Sequence, residues 1–135
     1  LFRRKDKAAR EKIHHILEQI GLSQKSGHLA YTLSHGEKQW LEMGMLLAQD
    51  PTLVILDEPT TGMTASETYK TGELIQTIFK GKSLIVVEHD MSFVRQIAKK
   101  VTVLHQGRHL AEGTLQEIEN NPKVQEIYLK EDAHA

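Results

Sequence analysis

Apolar residues recur along this chain with two periods, and the changes of period outline its elements. From Asp6 the positions Ala9, Ile13, Ile16, Leu17 and Ile20 follow helical spacing and Gly21 offers a left-handed stop, so an amphipathic helix is predicted there. Ser23 to Thr32 has little periodicity and reads as a loop. Ser34 and Glu37 then form a capping box, in which the serine oxygen and the glutamate carboxylate satisfy backbone donors that a helix start leaves unpaired. The helix they open carries Trp40, Leu41, Met43, Met45, Leu47 and Ala48 on a wide apolar stripe and ends at Asp50-Pro51. There the period gives way to a continuous apolar run, Leu53-Val54-Ile55-Leu56. Lying between Pro51 and Pro59, it predicts a strand buried on both faces, as in a parallel sheet covered by helices.

Thr64 with Glu67 repeats the capping box and opens a helix to about Phe79, with Leu74, Ile75, Ile78 and Phe79 on its buried side and Gly81 beyond its end. Ser83 to Glu88 is a second apolar strand, and strand, helix and strand make a right-handed βαβ unit with parallel strands. Asp90 is an N-cap for a helix with Phe93, Val94 and Ile97. Val101 to Leu104 and Arg108 to Glu112 flank the turn Gln106-Gly107 and read as a hairpin. Thr114 with Glu117 caps a further helix, Asn121-Pro122 starts a last one through Leu129, and Lys130 to Ala135 is a polar tail. The class is α/β, with parallel strands, flanking helices, and a C-terminal hairpin followed by helices.

Candidate chemistry gathers at strand ends. Asp57 and Glu58 close the first strand at its carboxyl end, where ligands of open α/β sheets sit. An aspartate there can hold Mg²⁺ through water, and the adjacent glutamate can orient a water that attacks a phosphate. By itself an apolar strand ending in acids is commonplace. His89, at the end of the second strand, is equally open to a purely structural reading, yet at the same sheet edge a neutral imidazole can donate to a γ-phosphate. Ser34 can be a cap and nothing more. Alternatively, the helix start it opens presents backbone N–H groups and a positive dipole end to phosphate, with Gly36 allowing close approach.

Composition trims the alternatives. Over 135 residues, 17 basic side chains balance 18 acidic ones, so no electrostatic footprint favours nucleic acid. There is no cysteine, which removes disulfides and thiolate metal sites. No apolar run approaches the ~20 residues that cross a bilayer. Eight histidines are present, but none stands with other ligands at the spacing of a zinc site. The chain starts at Leu1 with no initiator methionine, which suggests a piece whose upstream part is missing.

Taken together, Leu33-Ser34-His35-Gly36-Glu37, the strand ending in Asp57-Glu58, and His89 resemble the signature motif, Walker B strand and switch histidine of an ABC-type ATPase, in order and spacing. The likeness runs from about Asp6 to Leu129 and implies the C-terminal part of a P-loop ATPase domain. Residues 1–50 would belong to the helical subdomain that bears the signature, 51–130 to the ATPase core, and 131–135 to the polar tail. The stretches LSHGEKQWLEMGMLLAQDP (33–51), Gly62-Met63-Thr64, Val86 to Met91 and Asn121-Pro122 look like the branched-chain amino-acid and urea importer group, and VTVLHQG (101–107) leans toward the urea type.

The resemblance implies ATP and Mg²⁺ as cofactors. It implies two subunits sandwiching nucleotide, with Ser34, His35, Gly36 and Glu37 against the partner's ATP, Asp57 supporting Mg²⁺ through water, Glu58 as catalytic carboxylate and His89 as switch residue. The expected partners are a second ATPase subunit and membrane permease subunits, without nucleic acid and without contact to the solute. The expected place is cytoplasmic, peripheral on the inner face of the cell membrane. His35 and Glu37 stand where many relatives have Gly and Gln.

Two other classes share some of these features: a chromosome-maintenance or DNA-repair ATPase, which would add long heptad helices and basic surface, and a non-catalytic interaction half-module. No G-x-x-x-x-G-K-[ST] occurs in the chain, so the Walker A cradle and its lysine are missing. The resemblance also implies a sheet lacking the strand between Ser83–Glu88 and Val101–Leu104. Its exposed edges would be closed either by the hairpin shifting against Ser83–Glu88 or by a second copy. The isolated chain is accordingly predicted to show no specific ATPase activity and at best very weak nucleotide binding. Calorimetric titration with Mg-ATP checks this; tight, saturable binding lost in His89→Ala would overturn it.

Overall fold

The computed structural model describes the backbone of residues 2–132 and the side chains of residues 7–127. Helix α1 spans Phe2–Gln19, starting four residues before the predicted Asp6 because Arg3, Arg4 and Lys5 are good helix formers with no breaker among them. It ends in a left-handed Gly21 at φ 71°, with Leu22 N donating to Leu17 O at 2.8 Å and Gly21 N to Glu18 O at 3.0 Å, a Schellman closure. The segment predicted as a loop contains two short 3₁₀ turns, Ser23–Lys25 and Ala30–Thr32. Helix α2, His35–Ala48, begins at the anticipated capping box: Glu37 N donates to Ser34 Oγ at 3.2 Å and Ser34 N to Glu37 Oε2 at 3.0 Å. Its Gly44 lets α1 come close. A Cβ there would lie 2.8 Å from Ile20 Cδ1 and 3.1 Å from Ile16 Cγ2, and periodicity alone gave no sign of this contact.

Strands β1 (Leu53–Asp57) and β2 (Ser83–Val87), joined through helix α3 (Ala65–Ile78), pair in parallel with Leu53 opposite Ser83 and Asp57 opposite Val87. The strand prediction needs one correction. Val54 and Leu56 are buried at 3% and 6% exposure, whereas Ile55, Ile85 and Val87 on the other face are 62%, 51% and 53% exposed. Among the described residues only the Val54–Leu56 face is covered. A continuous apolar run cannot distinguish that arrangement from burial on both sides.

Helices α2 and α3 meet through a polar contact inside the core. Trp40 Nε1 donates to Thr71 Oγ1 at 2.8 Å, and the fully buried Thr71 hydroxyl donates in turn to Glu67 O at 2.8 Å. Lys70 Nζ lies 4.4 Å from the Trp40 ring centroid, within cation–π range.

The chain forms two compact units, Leu1–Phe93 and Val94–Ala135, and the division falls within helix α4, Met91–Ile97. Asp90 Oδ1 accepts from Ser92 N at 2.8 Å and Phe93 N at 3.2 Å, so it caps α4 as expected. In the second unit, β3 (Val101–His105) and β4 (Arg108–Gly113) form an antiparallel hairpin with a register shift between Val103 and Leu104. Gln106 and Gly107 are both left-handed at φ 49° and 72°, as a two-residue turn of primed type requires. Helices α5 (Leu115–Glu119) and α6 (Pro122–Asp132) follow, and Ile118 and Val124 pack with Ala111 against Val101, Val103 and Leu110. The described strands make two two-stranded sheets, β1 with β2 in the first unit and β3 with β4 in the second.

Thr71→Val would leave the buried Trp40 N–H without an acceptor. It is expected to cost about 1–3 kcal/mol in denaturant unfolding, with Thr71→Ser close to wild type.

Candidate active site at the strand edge

The site begins where β1 ends. Glu58 leaves the ladder in a left-handed conformation, φ 45°, while its N–H still donates to Val87 O at 2.9 Å. A non-glycine residue held there costs roughly 1–3 kcal/mol, and the surrounding bonds show what holds it. Thr61 N donates to Glu58 O at 3.2 Å, and Thr61 Oγ1 donates to Glu58 Oε2 at 3.2 Å. The Glu58 carboxylate is half exposed, and its Oε1 lies 3.5 Å from His89 Nδ1. Two residues that are 31 positions apart in sequence are thereby side by side.

Asp57 is exposed at the last position of β1. A hollow of about 190 Å³ between α2 and the end of β1 reaches it, lined also by Gln39, Glu42, Met43 and Ile55. Among the described residues no three His, Cys, Asp or Glu side chains converge as a metal cage.

The helix-start residues are linked to the same turn. His35 Nε2 lies 2.8 Å from Thr61 O; a carbonyl only accepts, so this nitrogen carries the proton. Gly62 is left-handed at φ 76°, and a Cβ on it would lie 3.3 Å from His35 Nε2. Gly36 is buried, and a Cβ there would lie 3.0 Å from Glu67 Oε1, so the close approach it permits here is to α3. Glu37 is engaged within its own unit. Its Oε1 accepts from Lys25 Nζ at 2.5 Å and its Oε2 from Ser34 N. The Lys25 hydrogen bond first, and the Ser34 backbone second, hold its carboxyl below the usual glutamate range. The Ser34 hydroxyl oxygen acts as acceptor in the cap.

Sequence reasoning passed over Glu88, counting it as the last residue of a strand. Its side chain is only 2% exposed, and its Oε1 accepts from Thr60 N at 3.1 Å and Thr60 Oγ1 at 2.6 Å. Its Oε2 accepts from His89 N at 3.2 Å. No periodic signal links positions 60 and 88; only the parallel register brings them together.

Comparison with known proteins bears on this arrangement. A family model for ABC transporters matches residues 2–61, and one for the branched-chain amino acid ATP-binding cassette transporter matches residues 108–129. The high-affinity branched-chain amino acid transport ATP-binding protein LivG of Salmonella typhimurium is 36% identical over 132 residues, covering 96% of this chain and 52% of that protein. Its counterpart BraF of Pseudomonas aeruginosa is 34% identical over the same shares of the two chains. A solved nucleotide-free ATP-binding cassette from an ABC transporter superposes with a TM-score of 0.79 at 29% identity, over 90% of this chain and 50% of its own.

By sequence, residues 2–61 are similar to the ABC transporter family, and the chain has the fold of part of an ATP-binding cassette. Its C-terminal part matches the branched-chain amino acid branch of those cassettes. The chain spans about half the length of the curated relatives it matches.

The Glu37 ion pair makes a pH prediction. A carboxyl whose folded pKa is lowered contributes stability above its unfolded pKa and loses it as pH falls through the folded value. The thermal midpoint of the wild-type chain should exceed that of Glu37→Gln most at neutral pH. The gap should narrow as pH falls below the ordinary glutamate range, as read from melts at a series of acidic pH values.

Proposed function

We propose that this chain is part of the ATP-hydrolysing subunit of an importer in the branched-chain amino-acid and urea group. The observation that carries the proposal is the Glu58–His89 pair, 3.5 Å apart at the carboxyl end of a parallel sheet, with Asp57 one residue away. Bound Mg-ATP would supply the phosphoryl group, and its metal would draw charge from the phosphate oxygens. Asp57 would hold the cation through water. Glu58, with one carboxylate oxygen toward Thr61 and the other toward His89, would orient the attacking water. His89 would donate to the γ-phosphate.

Ser34, with His35, Gly36 and Glu37 behind it, would present a helix start and its dipole to nucleotide held by a second ATPase subunit. Glu37 serves there through the cap, because its carboxylate is committed to Lys25. The missing phosphate cradle has to come from outside these 135 residues.

Membrane permease subunits are the further partners, and the working place is the inner face of the cell membrane. No helix of the described residues is long and apolar enough to cross a membrane. The ATPase subunit would not touch the solute. Within the importer group, the urea assignment rests on the tract VTVLHQG (101–107). Uptake assays of the assembled transporter with urea and with leucine separate it from an amino-acid role.

In a full-length subunit carrying these residues, Glu58→Gln should keep ATP binding and lower turnover by about 100-fold or more, because orienting water counts only toward the transition state. Turnover near wild type would remove Glu58 from this role.

A further inference from the structure

We infer that Glu88 is a positioning residue: its buried carboxylate ties the turn after Glu58 to the backbone of His89 and so sets the separation of those two groups. The inference rests on the reading of Glu58 and His89 given above. A buried carboxylate is costly unless its oxygens are well supplied with donors. Glu88 has three: Thr60 N at 3.1 Å and Thr60 Oγ1 at 2.6 Å on one oxygen, and His89 N at 3.2 Å on the other.

Where the donors lie matters as much as their number. Thr60 is two residues past Glu58, in a turn that a left-handed residue makes unfavourable by itself, and it is buried to 6% exposure. His89 is the next residue along the chain. One buried side chain thus links the Glu58 turn to the His89 backbone, while the two acting side chains are left exposed. His89 Nδ1 lies 3.5 Å from Glu58 Oε1 and 3.9 Å from Glu88 Oε2, so the imidazole stands beside both carboxylates. Nothing in this arrangement requires Glu88 to touch nucleotide. An aspartate would fall one methylene short of spanning the two ends. A glutamine would keep the length but turn an acceptor into a donor at one of them. With two donors at the Thr60 end, the amide oxygen would stay there and the NH₂ would face the His89 N–H.

Glu88→Gln is therefore the variant of choice, with Thr60→Val as a second that loosens the opposite end without changing any charge. In the 135-residue chain, amide exchange followed by NMR should speed up about tenfold at His89 in Glu88→Gln while changing little at Thr60. In Thr60→Val the acceleration should fall on residue 60 and its neighbour Thr61. In the ATPase assembled from full-length subunits, both variants should lower kcat about tenfold with the KM for Mg-ATP within about twofold of wild type.

Unchanged exchange at His89 in Glu88→Gln would overturn the tether. Altered exchange with normal kcat, in a protein whose Glu58→Gln variant is inactive, would reduce Glu88 to a packing role and overturn the inference. Should Glu58→Gln and His89→Ala both turn over normally, the reading of the site itself fails and the role of Glu88 falls with it, although the tether would remain visible in the exchange data.

Discussion

A carboxylate at the end of a buried strand can act on a ligand only if the backbone leaves the ladder sharply and then stays put. At Glu58 the departure is a left-handed residue, and the N–H that might have been orphaned there donates to Val87 O. The turn that follows is gripped on three sides: by β2 through that bond, by Glu88 through Thr60, and by His35 through Thr61 O. The strain of the turn is local, and the bonds that offset it come from segments far away in sequence. Loss of any one of them should be felt at Glu58 before it is felt by the fold.

The same turn joins the two helix starts. Gly36 and Gly62 are small for complementary reasons, the first because Glu67 of α3 lies against it, the second because its backbone is left-handed beside His35. Deeper in, Trp40 and Thr71 fasten α2 to α3, and Gly44 lets α1 settle on α2. A displacement of the α2 N-terminus would therefore pass to residues 61–67 through a histidine contact and a buried indole, without needing β1 to move. In the proposed ATPase this would make the helix that faces the partner's nucleotide and the turn that follows the acting carboxylate one mechanical piece.

The sheet tells a different story on its two faces. Val54 and Leu56 are packed, while Ile55, Ile85 and Val87 face outward on a two-stranded parallel sheet. Apolar residues on both faces of a parallel strand ordinarily mean that both are covered.

Local signals were legible in the sequence because their physics is local. The three capping boxes at Ser34, Thr64 and Thr114 need only a hydroxyl and a carboxylate three residues apart, and all three formed. The Gln106-Gly107 turn needs only two residues that tolerate positive φ. The positions of Asp57, Glu58 and His89 at strand ends followed from apolar runs that stop. What the sequence could not determine was everything that depends on register and on which faces are covered. The 3.5 Å approach of His89 to Glu58, the burial of Glu88 against Thr60, the hold of His35 on Thr61 and the commitment of Glu37 to Lys25 are each set by how separate elements dock. Hydrophobic period constrains each element singly. Only the packed tertiary structure, where parallel pairing brings Glu58 to His89 and Thr60 to Glu88, decides which polar groups meet.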